Sequence, residues 1–164
     1  RLFRLLRLAL ASSQNSSQMR YLLCLWIALE RAISIYREEF EPSDQLKDPY
    51  VILGFNVCAA ETDEEAHYLK SSGLQALINL RTGKPGPLPP PIQNFEENLC
   101  GPEKQLVSQS RSASATGSME RITQEISEFL KLTNADELII TSQIFDHAAR
   151  VESYSITQQA CIGL

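Results

Sequence analysis

Three polar side chains follow a short apolar run near the end of the chain. Leu138, Ile139 and Ile140 form the run, and Ser142, Gln143 and Asp146 come after it. A hydroxyl, an amide and a carboxylate can together donate and accept hydrogen bonds to a polar ligand. α/β folds gather their chemistry at the carboxyl ends of strands. Ser142, Gln143 and Asp146 are therefore the candidate pocket residues, and the sequence assigns no catalytic residue. Two of them also suit ordinary structural roles. Ser142 could be the N-cap of a following helix, and Asp146 could sit in its first turn, where the helix dipole favours a carboxylate.

Other reactive side chains are scattered. His67 and His147 lie far apart in the chain and read as partly exposed helix residues rather than as metal ligands. Asp63, Glu64 and Glu65 could be taken for a metal cluster, but three acids suit the solvated first turn of a helix. The four cysteines, Cys24, Cys58, Cys100 and Cys161, are widely spaced and form no CxxC pair. That spacing predicts neither a zinc site nor a compact disulfide scaffold, and reduced cytosolic thiols are the default reading. There is no glycine-rich dinucleotide fingerprint, P-loop or Ser/Cys–His nucleophile signature. Gly117–Ser118 could offer a helix N-terminus to a phosphate, although capping by Ser118 accounts for the pair as well. With 15 Lys and Arg against 20 Asp and Glu, the formal net charge is −5. This argues against broad nucleic-acid binding, which needs a basic footprint.

The elements that must hold these residues alternate between helix and strand, as an α/β fold requires. Leu29, Ala32, Ile33, Tyr36 and Phe40 make a helical stripe that Pro42 terminates. Tyr50–Cys58 is apolar and β-branched enough for a buried strand. Its Gly54 suggests a bulge or a close backbone approach, and its Asn56 a hydrogen bond within the sheet. Thr62 and Glu65 form a capping box for a helix over 62–80. The segment 81–91, RTGKPGPLPPP, excludes both helix and central strand. Its Arg81 and Lys84 could meet an anion or simply face solvent. Residues 94–111 are ambiguous, although Pro102–Glu103 could begin a helix, and 108–118 has the composition of a linker. Ile122, Ile126, Phe129 and Leu130 define a helix over 118–132, with Asn134 as a left-handed cap. Glu137–Thr141 then reads as a strand buried on both faces, and Gln143–Arg150 as the start of a helix. The strand–helix alternation predicts that Glu137–Thr141 and Tyr50–Cys58 are adjacent or near-adjacent parallel strands, with the helices over 62–80 and 118–132 on one side of the sheet.

Residues 1–27 differ from the rest. They carry Arg1, Arg4, Arg7 and Arg20, no acid, and a polar SSQNSSQ stretch before an apolar run. The composition fits an organelle transit peptide, and a secretory signal fits less well. The nine apolar residues of YLLCLWIAL fall short of the about 20 that a membrane span needs. The favoured reading is a segment foreign to the fold, from a shifted reading frame or a misplaced boundary.

Five stretches carry a family resemblance: ALERAISIYREEFEPSDQL, PYVILGFNVCAAETDEEA, LINLRTGKPGPLPPP, TGSMERI and ADELIITSQIFDHAAR. Over Ala28–Tyr154 the chain resembles the luciferase-like, flavin-dependent monooxygenases, whose chains are longer. The resemblance implies the C-terminal part of a (β/α)8 TIM barrel, here incomplete, because a whole barrel takes roughly 250 residues. It implies an oxidoreductase that uses reduced FMN and O2 on a small organic substrate, with the chemistry residing in the flavin. A flavin reductase and a homo-oligomer are the implied partners, without nucleic acid or membrane, in the cytoplasm. The family's FMN lies at the barrel's carboxyl mouth and takes most of its contacts from earlier strands. This chain alone should therefore be inactive, with the Pro-rich loop at 81–91 covering the mouth. The alternative is a non-catalytic αβ fragment, or an interaction module offering that loop to an SH3- or WW-type partner. If residues 1–27 are foreign to the fold, deleting them leaves the thermal midpoint unchanged or raised, and a large drop in a melting experiment would show that they complete the core.

Overall fold

A computed structural model describes residues 28–109 and 113–164; the expectations for 1–27 lie outside the described residues. Helix α1 spans 28–38 and ends short of Pro42. Strand β1 (Ile52–Ala59) leads into helix α2 (Asp63–Arg81), and helix α3 (Gly101–Gln109) follows the proline segment. Strand β2 (Ser114–Gly117), helix α4 (Met119–Thr133), strand β3 (Glu137–Thr141) and helix α5 (His147–Ala160) complete the order.

Local signals account for most of the boundaries. Thr62 caps α2 by accepting from the Glu65 amide at 3.2 Å. Asn134 ends α4 in the left-handed conformation (φ 48°, ψ 41°), as its position predicted. The Arg37 guanidinium, reaching over from α1, donates to the carbonyls of Thr133 and Asn134 and so binds the last orphan acceptors of α4.

The three strands form one parallel sheet in the order β2-β1-β3. The expected parallel pairing of the 50–58 and 137–141 runs is direct, from Ile52 opposite Glu137 to Asn56 opposite Thr141. At its entrance the Asp136 carboxylate accepts from the Val51 amide at 2.7 Å, while Asp136 and Glu137 donate to the Val51 carbonyl. Consecutive units of a barrel would instead place β2 between β1 and β3. The pairing runs through Gly54 without a bulge, and a Cβ built there meets nothing within 4 Å. Gly54 therefore marks neither a bulge nor a close approach.

Alternation along β1 divides the core in two. Phe55, Val57 and Ala59 pack with Ala115, Ile122, Ile126, Phe129 and Ala160, on the face covered by α4 and α5. Cys58 and Ala60 pack with Ala66 and Leu69 of α2 and with Ile144. The expectation that α2 and α4 share one side of the sheet is thus corrected: they lie on opposite faces. The reason is topological. The chain moves one way across the sheet from β1 to β2 and back the other way from β2 to β3. Crossovers of the same, right-handed sense then fall on opposite faces.

Two further expectations fail for physical reasons. The 108–118 stretch contains β2 rather than a linker; its residues are small, yet Ala115 is 1% and Thr116 6% exposed because they are held between helices. Glu137–Thr141 is not buried on both faces: Glu137, Ile139 and Thr141 are exposed, and only Leu138 and Ile140 turn toward the core. The Pro-rich segment folds back on α2, where Gln75 donates to the Pro90 carbonyl at 2.9 Å and the Ile92 amide donates to Ser71 at 2.7 Å. The ambiguous region beyond it forms α3, whose Val107 joins Leu74, Ile78 and Leu99 in a third cluster. Ile122 is fully buried at the centre of the main core, so Ile122→Ala should cost about 3 kcal/mol, read as a lower midpoint in urea unfolding.

Candidate functional site

The second face of the sheet carries a cleft at its carboxyl-end half. Asn56 and Cys58 of β1 and Ser114 and Thr116 of β2 form its floor. The helix α2 supplies Lys70, Gly73, Leu74 and Leu77 as the opposite wall, and Gln143 closes one end. The cleft encloses about 170 Å³. A Cβ at position 73 would lie 3.2 Å from both Cβ and Oε1 of Gln143, so Gln143 would have to give by a few tenths of an ångström to admit one.

Of the three sequence candidates, only Gln143 lines this cleft. Asp146 is the N-cap of α5, accepting from the Ala149 amide at 2.8 Å; its structural role accounts for it. The helix begins at His147 rather than at Gln143, so Ser142 is not its cap. The Ser142 amide instead donates to the Tyr154 hydroxyl at 3.0 Å, and the Ser142 hydroxyl is buried without a hydrogen-bond partner among the described residues.

Asn56, Cys58, Lys70, Ser114 and Thr116 were not selected by sequence. The signals were faint: a polar Asn inside an apolar strand, and a lysine among Ala66, Gly73 and Leu77 on one helical face. Asn56 does bond within the sheet, its Oδ1 accepting from the Thr141 hydroxyl. Burial pushes the Cys58 thiol up to about 12, so it stays protonated at neutral pH and is no nucleophile. It donates to the Ala66 carbonyl at 3.3 Å.

The Gly117–Ser118 helix start is already filled from within. Ser118 stands at the N-cap position without a side-chain capping bond. The Asp63 carboxylate accepts from the Ser118 amide at 2.7 Å and lies 3.7 Å from the Arg121 guanidinium. Gly117 has φ +146°, and a Cβ on it would lie 2.5 Å from Asp63 Oδ1, so only glycine admits this contact. The Ser118 amide, with a smaller contribution from Arg121, holds the Asp63 carboxyl below its ordinary value. The Gly117–Ser118 helix start is thus not open to a phosphate, since Asp63 takes it, and the cleft, at about 170 Å³, is smaller than the about 300–1,000 Å³ usual for ligand sites.

His67 faces Glu96 at 3.3 Å and His147 faces Arg150 at 2.9 Å, both at exposed positions. Among the described residues no three His, Cys, Asp or Glu side chains converge as metal ligands, and no helix is long and apolar enough to cross a membrane.

Comparison with known proteins places this geometry in context. No protein-family model matches the sequence. A protein of Escherichia coli K12 named luciferase-like monooxygenase is 38% identical over 128 residues, covering 78% of this chain and 38% of that protein. The uncharacterized proteins YddN and YvbT of Bacillus subtilis 168 are 39% identical over 132 residues and 35% over 125. They are matched over 80% and 76% of this chain and 39% and 37% of their own lengths. The chain thus spans under two fifths of the length of these relatives. The crystal structure of apo-MsnO8 superposes with a TM-score of 0.64 at 24% identity, over 80% of this chain and 41% of that one, which is a likeness of fold.

The Asp63 latch makes a test in acid. Its lowered pKa means the carboxylate's stabilisation is complete above the ordinary value of 3.8 and is lost as pH falls through the lower folded value. Asp63→Asn should lower the thermal midpoint at pH 7, and the difference from the parent chain should close below that range.

Proposed function

Because the chain belongs to the luciferase-like superfamily, we propose that it is a strand–helix portion of a flavin-dependent monooxygenase. The whole protein would use reduced FMN and O2 to oxidise a small organic substrate. The observation that carries the reading is the sequence identity of 38% over 128 residues, together with a cleft at the carboxyl ends of a parallel sheet, where such folds do their chemistry. When bound, the flavin would supply the redox chemistry. Residues of this chain would shape the substrate side of the pocket, and α2 with its folded-back proline segment would exclude water from it.

The finer parts of the reading are proposals of the same kind. They are an eightfold barrel in the whole protein, a flavin reductase as electron source, a homo-oligomer, and a cytoplasmic setting. A longer chain that closes such a barrel would pair β2 directly with β3, in place of the β2-β1-β3 order. This chain would be inactive on its own, since a barrel's pocket is assembled from several strand ends at once.

Titrating the purified chain with FMN, read by flavin fluorescence, tests the last point. No saturable quenching is expected at low micromolar FMN. Saturable binding that disappears in a Ser142→Ala, Gln143→Ala double variant would show instead that this chain holds the cofactor by itself.

A further inference from the structure

Strand β3 lies at the edge of the sheet with one row of its backbone groups turned outward. Among the described residues it pairs on one side only, with β1. The Glu137 amide donates to the Val51 carbonyl. In the same parallel register Glu137, Ile139 and Thr141 stand opposite Ile52, Gly54 and Asn56. Alternation then turns the amides and carbonyls of Glu137, Ile139 and Thr141 toward β1, and those of Leu138 and Ile140 away from it. No lysine, proline or bulge guards this edge over 137–141.

The side chains add an apolar demand. Ile139 is 56% exposed on the open face of the sheet, and Gly54 opposite it has no side chain to cover it. Leu138 and Ile140 are half-buried on the other face. One partner meets both demands, and it is another β3. Two copies of the ELIIT strand related by a two-fold axis perpendicular to the sheet run antiparallel. With the axis at Ile139, Leu138 faces the second copy's Ile140, and the two exchange both of their outward backbone hydrogen bonds. Ile139 meets its own counterpart at a non-hydrogen-bonded position, where side chains come closest. Glu137 faces Thr141 rather than another carboxylate, so no like charges stand opposite. Moving the axis to Leu138 would set Glu137 against Ile139. Moving it to Ile140 would set Ile139 against Thr141 and leave Glu137 beyond the strand.

We propose that two copies of this chain pair edge to edge through antiparallel β3 strands centred on Ile139, joining their sheets in the order β2-β1-β3-β3-β1-β2. This gives an interface to the homo-oligomer named above without resting on the oxygenase reading. In a longer chain whose barrel closes, another strand would take this edge, so the pairing belongs to the 164-residue chain.

The test is sedimentation velocity on the full chain over a range of concentrations. A dimer that dissociates on dilution is expected. Ile139→Lys and Ile139→Glu should each run as monomers at concentrations where the parent chain is dimeric, because like charges then stand directly opposite. Mixed in equal amounts, these two variants should restore a dimer, since opposite charges then face each other. Cross-linking fixes the register. In a chain with Cys24, Cys100 and Cys161 changed to Ser, Ile139→Cys should give a disulfide-linked dimer when oxidised with diamide, and Thr141→Cys should not. A monomeric parent chain, an open-ended series of larger species, undiminished dimerisation of a folded Ile139→Lys chain, or no dimer in the mixture would overturn the proposal. So would cross-linking of Thr141→Cys as readily as Ile139→Cys. If the charged variants do not fold, the two cysteine variants decide. No flavin enters either readout, so their failure leaves the oxygenase reading standing, and failure of that reading leaves the dimer standing.

Discussion

A parallel sheet is stable in water only when both of its faces are covered, and everything else in the described chain follows from how β1 meets that demand. As the central strand, β1 is paired on both edges, by β2 and by β3. Its odd residues lie under α4 and α5 and its even residues partly under α2. The Phe55–Phe129 contact, with ring centroids 4.6 Å apart, anchors the first face. Such a pair adds about 0.5–1.5 kcal/mol beyond its buried area. The carboxyl end of β1 is also tied to the helical layer, since the Ala59 amide donates to Ser153 of α5 at 2.9 Å.

Reversal of direction across the sheet creates the candidate site. Because the two crossovers run opposite ways, α2 is carried onto the face opposite α4 and brings its own side chains over the strand ends. One of them, Asp63, reaches the start of α4 and replaces the capping that Ser118 does not provide. Another, Lys70, lines the cleft with Asn56 and Thr116. Latch and cleft are two consequences of the same placement. A helix that lay on the α4 side could supply neither.

What the sequence made legible was what local chemistry decides. Thr62, Asn134 and Pro42 act within a few residues of themselves, and the helices they bound came out within a residue or a few of their expected ends. The 50–58 and 137–141 strands were readable because β-branched apolar runs have few other homes. By contrast, β2 consists of Ser, Ala, Thr and Gly, and its strand character comes from Val57 and Cys58 beside it rather than from its own propensity. Helix α3 is held by Leu74 and Ile78, far earlier in the chain. The candidate site was hard to read for the same reason. Asp146 looked like a ligand and proved to be a cap, because a carboxylate three residues before an amide bonds it first. Lys70 and Asn56, which do line the cleft, meet only through strand order, and no spacing in the sequence encodes that.

The coverage of the second face is incomplete. Toward the amino ends of β1 and β3, Ile52 is 49% and Ile139 56% exposed, and Glu137 stands directly opposite Ile52 in the strand register. Uncovered apolar positions on a parallel sheet are unusual. The division follows from where α2 begins. Asp63 lies just past the carboxyl end of β1, so the helix packs Ala66 and Leu69 on Cys58 and Ala60 at that end. The same crossover that shields the carboxyl ends of the strands, where α/β folds do their chemistry, leaves the isoleucines at the amino ends in the open.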